Sequence, residues 1–106
     1  MNSIEIVGNL TADPEIKYTS GGKSVASFRI ASDRSRQTDS KTDYLPVTAW
    51  ESLAESAMTN LRKGSFVRVK GTLRTDSYET SDGAKRTSFE VVARTIELVE
   101  KSEATE

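Results

Sequence analysis

Apolar and polar residues alternate along most of this chain, which is the pattern of β-strands with one buried face. In the first run, apolar or small residues occupy every second position, at Ile4, Ile6, Gly8 and Leu10. The same alternation recurs in four later segments. It predicts further strands at residues 24–32, 44–50, 66–78 and 86–99.

Turn-forming residues separate these predicted strands. The dipeptide at residues 13–14, Asp-Pro, ends the first strand, because proline lacks a backbone donor and disfavours helix in the residue before it. Two tight turns are predicted, one at the Gly-Gly pair 21–22 and one at Ser-Asp-Gly, residues 81–83. Residues 33–43 are all polar and cannot bury apolar surface, so they predict a mobile loop.

Three further features qualify the strand pattern. Pro46 indicates that part of its strand lies near a sheet edge, since proline cannot donate to a strand partner. In the last strand the alternation changes phase near Arg94, which indicates a β-bulge. The phenylalanines adjoin or alternate with aliphatic residues and are therefore interpreted as core residues: Phe28, Phe66 and Phe89.

One segment has helical rather than strand periodicity. Ser52 followed three residues later by Glu55 forms a capping-box pattern, in which each side chain satisfies a free amide of the first turn. Gly64 is expected to end the helix as a left-handed cap. The apolar stripe of this helix comprises Leu53, Ala54, Ala57, Met58 and Leu61.

The order of elements is three strands, one helix and two strands. This order predicts an all-β, five-stranded OB-fold, which is a Greek-key barrel with a helix between strands three and four. We expect residues 1–99 to form this single domain. Residues 100–106 are polar and are expected to be a disordered tail.

Composition limits the chemistry that is available to the chain. Because Cys and His are both absent, the sequence cannot form a zinc site of the usual type or a Ser-His or Cys-His nucleophile pair. No apolar run is long enough to cross a bilayer, and the N-terminus does not resemble a signal peptide. We therefore expect a cytoplasmic protein without a metal, a cofactor or a catalytic site.

Three aromatic residues are candidates for contact with a flat ligand. Tyr44 and Trp50 are six residues apart on one predicted strand and therefore share a face. Tyr78 has the polar residues Asp76 and Thr80 at i±2, which favours exposure over a place in the core. For Trp50 the sequence leaves both a stacking role and a core role open.

Basic residues occur in separate segments although the net charge is −1. Residues 62–74 contain five bases and no acid, a pattern equally typical of a solvated strand face. Proteins that hold single-stranded nucleic acid combine basic grooves with aromatic faces on which bases stack. The basic residues that we expect to contact such a ligand include Arg34, Arg36, Arg68, Arg74 and Arg86.

Several motifs resemble those of bacterial single-stranded DNA-binding proteins. Residues 4–19, IEIVGNLTADPEIKYT, resemble the family's opening strand and turn. Shorter matches follow in family order and extend over nearly the whole chain: VASF at 25–28, LAE at 53–55, LRKGS at 61–65, VKGTLRT at 69–75 and DG at 82–83. Thr-Ala-Asp at 11–13 and a Trp just before the helix are most similar to the actinobacterial branch.

The resemblance implies a homotetrameric OB-fold that wraps single-stranded DNA during replication, recombination and repair. It implies stacking by Tyr44, Trp50 and Tyr78 and, more loosely, basic contacts from Lys17, Lys63 and Arg74. Family members usually continue into a flexible linker and an acidic tip that recruits replication and repair enzymes. The sequence ends at Glu106 without these features, so we expect a short paralogue or a binding domain alone, with its protein partners uncertain.

Three other functions are compatible with some of these residues. A related primosome-accessory OB protein would bind DNA as a dimer together with a helicase or its loader. A nuclease would need carboxylate pairs such as Asp13 and Glu15 to bind magnesium, although surface ion pairing is their commoner role. A purely structural oligomer stays open if the basic groove does not form.

Overall fold

The computed structural model describes residues 1–33 and 41–99. Six strands and one helix follow each other along the chain. They are β1 (Ile4–Leu10), β2 (Glu15–Tyr18), β3 (Ser24–Asp33), β4 (Thr42–Trp50), α1 (Ser52–Asn60), β5 (Phe66–Glu79) and β6 (Lys85–Leu98).

The strands form a closed ring. The sheet order is β1-β5-β6-β4-β3-β2, and β1 also pairs with β3, so five of the strands complete a barrel. All pairs are antiparallel except β4 with β6, which meet through Val47 opposite Val91 and Thr48 opposite Val92. The helix lies between β4 and β5 in sequence. This arrangement confirms the predicted OB-fold.

Strand β2 is the one element that the sequence pattern did not predict. It pairs along its whole length with β3 and extends the sheet beyond the closed ring. Its four residues contain a single aliphatic side chain, Ile16, between charged residues, so they show no clear alternation. The predicted turn at residues 21–22 joins β2 to β3, with Gly22 at a φ of 87°.

The barrel interior holds a core of small and branched apolar residues. Its largest fully buried side chains are Ile30, Val47, Val67, Val69 and Val91. Helix α1 covers one end by packing Ala54 and Ala57 against this core, while Met58 remains 38% exposed. The helical stripe is therefore confirmed apart from Met58.

Both predicted ends of the helix were wrong in detail. The N-cap is Glu51, and no side chain caps it; Ser52 is already helical, so the capping box does not form. Glu51 adopts a left-handed φ of 58°, held by its N–H donating to the Ser24 carbonyl at 2.8 Å. The helix ends before Leu61, and Gly64 (φ 91°) lies in the following turn instead of capping the helix.

The predicted bulge is present. Lys70 pairs with Thr95 and Gly71 with Ala93, which leaves Arg94 as the extra residue on β6. A Cβ atom at Gly71 would lie 2.0 Å from the Val92 carbonyl oxygen, so the close approach of the strands here requires glycine.

The β5–β6 hairpin continues past the barrel. Residues 74–79 and 85–89 are exposed on both faces of this ribbon. Phe89 was predicted to be a core residue, and this was wrong. Its side chain lies on the same side of β6 as that of the buried Val91, but it is 46% exposed because the barrel has ended at that level. Phe28 is buried as predicted, whereas Phe66 is only partly buried.

The predicted polar loop is shorter than expected at both ends, since β3 continues to Asp33 and β4 begins at Thr42. Residues 34–40 of that loop lie outside the described part of the chain. Within the described ranges, no helix is long and apolar enough to cross a membrane.

Candidate nucleic-acid interface

The outer face of β4 carries two of the three candidate aromatic residues. Its inward side chains include Val47 and Ala49, both buried, so the alternate residues point away from the core. Tyr44 is 57% exposed and Trp50 is 38% exposed on this outer face. Trp50 is therefore not a core anchor, which removes one of the two alternatives that the sequence left open.

Strands β2 and β3 extend the same face with basic residues. Trp50 lies opposite Val25 of β3, and Val25 lies opposite Lys17 of β2. At about 4.8 Å between neighbouring strands, the backbones of Lys17 and Trp50 are roughly 10 Å apart. Arg29 is exposed on this face and lies opposite Pro46, between the levels of Trp50 and Tyr44. We call the outward side of β2, β3 and β4 the stacking face.

A groove runs beside the stacking face. It has a volume of about 380 Å³ and separates the β1–β2 turn from β3. Ser27, Arg29 and Pro46 belong to its lining. Asp13 and Glu15 line the same groove, so the exposed Arg29 lies between these acids and the stacking face.

The hairpin brings further candidate residues to one side. Arg74 lies opposite Glu90, and Tyr78 lies opposite Arg86. These residues alternate with the inward Leu73 and Val91, so they share the outward side of the ribbon. Tyr78 is 53% exposed, in agreement with the expectation from its polar neighbours.

A side-chain hydrogen bond joins the hairpin to the stacking face. The Thr48 hydroxyl of β4 donates to Oε1 of Glu90 on β6 at 2.6 Å, and both residues are partly buried. Thr48 alternates with Trp50 on the outer face, so this bond lies within the candidate interface.

Hydrogen bonds within the turn order the tip of the hairpin. The Thr80 N–H donates to the Ala84 carbonyl at 2.8 Å, and Gly83 adopts a φ of 88°. The Asp82 carboxylate accepts from the Thr80 hydroxyl and from the Ala84 N–H. These bonds, with the Thr80 hydroxyl contributing most, hold the pKa of Asp82 below its ordinary value of 3.8.

Two of the predicted basic residues lie neither on the stacking face nor on the projecting part of the hairpin. Arg68 lies between two acids, with Nε 3.2 Å from Glu5 and Nη1 3.3 Å from Glu97. Lys63 is exposed in the loop between α1 and β5, where its backbone N–H donates to Asp13 at 2.8 Å. The basic run of residues 62–74 therefore begins in a loop and continues on β5, and Arg68 of that run is already paired with acids. Arg34 and Arg36 lie outside the described residues.

Comparison with known proteins identifies the family. Residues 1–99 match the family model described as "Single-strand binding protein family". The chain belongs to this family.

Curated relatives agree with this assignment. The chain is 38% identical over 103 residues to Single-stranded DNA-binding protein 3 of Clostridium acetobutylicum, covering 94% of this chain and 72% of the relative. It is 45% identical over 98 residues to the Single-stranded DNA-binding protein of Corynebacterium glutamicum, covering 86% of this chain and 44% of that relative. A protein of the same name in Clostridium tetani is 40% identical over 103 residues, and the match covers 94% of this chain and 71% of that relative.

Membership of this family also indicates whether the chain has a catalytic role. Proteins of the single-strand binding family bind DNA and are not enzymes, so the chain is a binding protein. Among the described residues, no three Asp or Glu side chains come together as a metal site.

Two residues of the interface were not proposed as site residues from the sequence. Arg29 could have been found, because it alternates with the core residues Phe28 and Ile30 and must therefore point outward. Glu90 could not, because its partner Thr48 comes from a strand pairing between residues more than 40 positions apart, which no local pattern indicates.

Proposed function

We propose that this protein binds and protects single-stranded DNA without sequence specificity, during replication, recombination and repair. Bases would stack on Tyr44, Trp50 and Tyr78, while basic side chains contact the phosphates. The observation that carries the proposal is that all three aromatic residues are exposed on the outward faces of β4 and β5, two strands that β6 joins in the same sheet. A cytoplasmic location is part of the proposal, because that is where bacterial DNA becomes single-stranded.

The basic contacts that we propose lie beside these aromatic residues. Lys17 neighbours Trp50, Arg29 lies between Trp50 and Tyr44, and Arg74 and Arg86 follow the hairpin. Arg34, Arg36 and Lys63 remain proposed contacts from the sequence. Arg68 is less suited to this role, since two carboxylates already neutralise its charge.

The direct test is titration of intrinsic fluorescence with oligo-dT. Trp50 is the one tryptophan of the chain, so its signal reports contact at the stacking face. We expect saturable quenching with an affinity that falls as salt rises, because bound phosphates release counterions. Absence of quenching together with absence of a mobility shift for labelled oligo-dT would contradict the proposal.

We further propose that the chain forms a homotetramer. Strand β1 pairs with β3 only at Asn9 and Leu10, so one edge of its earlier residues has no strand partner within the described part of the chain. Leu73 and Phe89 are also exposed on the same side of the hairpin, and adjacent exposed apolar side chains often mark a protein interface. Light scattering at micromolar concentration tests the proposal; a monomer mass would contradict it, and a dimer mass would favour the primosome-type alternative.

A further inference from the structure

Glu90 is an acidic residue in the middle of a surface proposed to bind a polyanion. Glu90 is the only acid among the outward residues of β4 and those of β6 between Arg86 and Val92, while the adjoining strands β2 and β5 add Glu15 and Asp76 farther from Thr48. Glu90 is partly buried, and its Oε1 accepts the hydrogen bond from Thr48. The ion pairs found in the described ranges involve Arg68, so no salt bridge neutralises Glu90 there.

The position of Glu90 decides which part of a DNA strand it meets. Thr48 is two residues from Trp50 and four from Tyr44 on the same face. At about 3.3 Å per residue, these separations are roughly 7 and 13 Å. A strand whose bases stack on both aromatic residues therefore carries a base across the Thr48–Glu90 pair. Its phosphates are expected to keep away from the carboxylate and near Lys17 and Arg29.

We propose that Glu90 gives one contact of this otherwise sequence-independent interface a preference for an amino-bearing base, such as cytosine, over thymine. This inference rests on the proposed function. A carboxylate accepts hydrogen bonds but donates none, so it pairs with the exocyclic amine of cytosine. Thymine has one ring N–H between two carbonyl oxygens, and those oxygens repel the carboxylate.

Thr48 makes the carboxylate a fixed acceptor. Its hydroxyl engages Oε1, which holds the side chain against β4 and leaves Oε2 free for the ligand. A freely rotating surface glutamate would turn away from an unfavourable base. A carboxylate that Thr48 holds in place cannot rotate away, so its repulsion of an unfavourable base reduces the affinity in full.

The test compares oligo-dT and oligo-dC of equal length on the parent and on Glu90→Gln. The glutamine oxygen still accepts from Thr48, so its amide N–H groups face the ligand and suit the thymine carbonyls. We expect the ratio of the dC affinity to the dT affinity to fall by about fivefold, a conservative figure for loss of one base contact. The change in ratio should be the same at low and high salt, since both oligonucleotides carry the same phosphates.

Glu97→Gln is the matched control. It removes the same charge from the same strand, but Glu97 pairs with Arg68 away from the stacking face. We expect Glu97→Gln to leave the ratio unchanged. Thr48→Val is the second variant: it keeps the Glu90 charge but releases the side chain, and we expect it to reduce discrimination in the same direction.

The outcomes separate this inference from the function on which it rests. A parent that binds neither oligonucleotide would contradict the proposed function and, with it, the role of Glu90. A parent that binds both, with Glu90→Gln and Thr48→Val leaving the ratio unchanged, would contradict the role of Glu90 alone. Equal tightening for both oligonucleotides in Glu90→Gln would mean that the residue acts only as a repulsive charge.

Discussion

At the scale of single residues, two things decide whether an aromatic side chain is exposed here: the side of the strand on which it lies, and whether the barrel extends to its level. Trp50 and Phe89 have similar exposure, 38% and 46%, but they reach it differently. Trp50 points outward from a buried part of β4, whereas Phe89 points inward on a ribbon that has left the barrel. The local sequence does not show where the barrel ends, which is why Phe89 was assigned to the core.

Replacement of the stacking aromatics should weaken binding without unfolding the protein. We expect Trp50→Ala and Tyr78→Ala each to lower oligo-dT affinity by about tenfold, because a stacked base contributes roughly 1–3 kcal/mol. Labelled oligo-dT reports the affinity, and thermal melting reports the fold.

Tyr18→Ala is the matched control for this pair. Tyr18 is 66% exposed, but it lies opposite the buried Ser24 and so faces away from the stacking face. Equal losses of affinity in Tyr18→Ala and Tyr78→Ala would contradict the proposed surface.

Gly71 should not tolerate even one added methyl group. Its Cβ would lie 2.0 Å from the Val92 carbonyl oxygen and 3.0 Å from the Ala93 Cα, both backbone atoms that cannot move independently. We expect Gly71→Ala to lower the free energy of unfolding by about 1–3 kcal/mol, the usual cost of overpacking. Urea denaturation measures this, with Gly21→Ala as the control, since the nearest atom there is 3.9 Å away. Similar stabilities for the two variants would count against the close approach at the bulge.

At the scale of elements, the sequence predicted the parts that local periodicity determines. The strands with alternating apolar residues, the helical stripe apart from Met58, both tight turns and the bulge at Arg94 were correct. Strand β2 was missed because its pairing with β3 stabilises it, and four mostly charged residues show no pattern of their own. The capping box was wrong because Ser24 holds the backbone of Glu51, so the helix entry depends on a contact 27 residues away in sequence.

The candidate site was predictable to a similar extent. Exposure of Tyr78 followed from its neighbours, but the place of Trp50 needed the barrel to be known. The basic run of residues 62–74 suggested one free basic patch, but it begins in the loop before β5, and Arg68 on β5 is held by acids. Arg68 in particular meets Glu5 and Glu97 only through pairing of β5 with β1 and β6.

The turn of the hairpin should lose order only in strong acid. The lowered pKa of Asp82 means that its ionised form is favoured in the folded turn. The resulting stabilisation is fully present above the ordinary value of 3.8 and is lost as the pH falls through the lowered pKa. An NMR titration of the Asp82 carboxyl should therefore give a midpoint below 3.8, with faster exchange of the Ala84 amide only beneath it. A midpoint at or above the ordinary value would show that these hydrogen bonds do not form in solution.

At the scale of the whole molecule, the net charge of −1 does not determine the affinity for a polyanion. What matters is which basic side chains remain unpaired on the binding side. Arg74 is exposed on the outward side of the hairpin, whereas Arg68 is held between two acids. Arg74 and Arg68 lie on the same strand and carry the same charge, so comparing them measures how the position of a basic residue affects DNA binding.

The salt dependence of binding should distinguish them. Each phosphate contact in single-stranded DNA contributes about 0.7 to the slope of log affinity against log salt concentration. We expect Arg74→Ala to reduce the slope by about that amount and Arg68→Ala to leave it nearly unchanged. Titrations with oligo-dT at four or more salt concentrations give both slopes. An equal reduction in the two variants would mean that Arg68 leaves its acids to contact DNA.

Strands β4 and β6 meet along one short line of contact of two residue pairs, as few as join β1 to β3. Strands β1 and β5 are farther apart in sequence, but six residue pairs join them. The line between β4 and β6 joins parts of the chain 44 residues apart with two pairs only, so few contacts offset its loop-closure entropy. We expect this line to form last during folding and to open first in the native state, which makes it a hinge for breathing of the barrel. A DNA strand bound across Thr48 and Glu90 would contact both β4 and β6 and slow their separation. Amide hydrogen exchange at Val91 and Val92 should therefore be faster than at Val67 and Val69 in the free protein, and should slow on addition of oligo-dT.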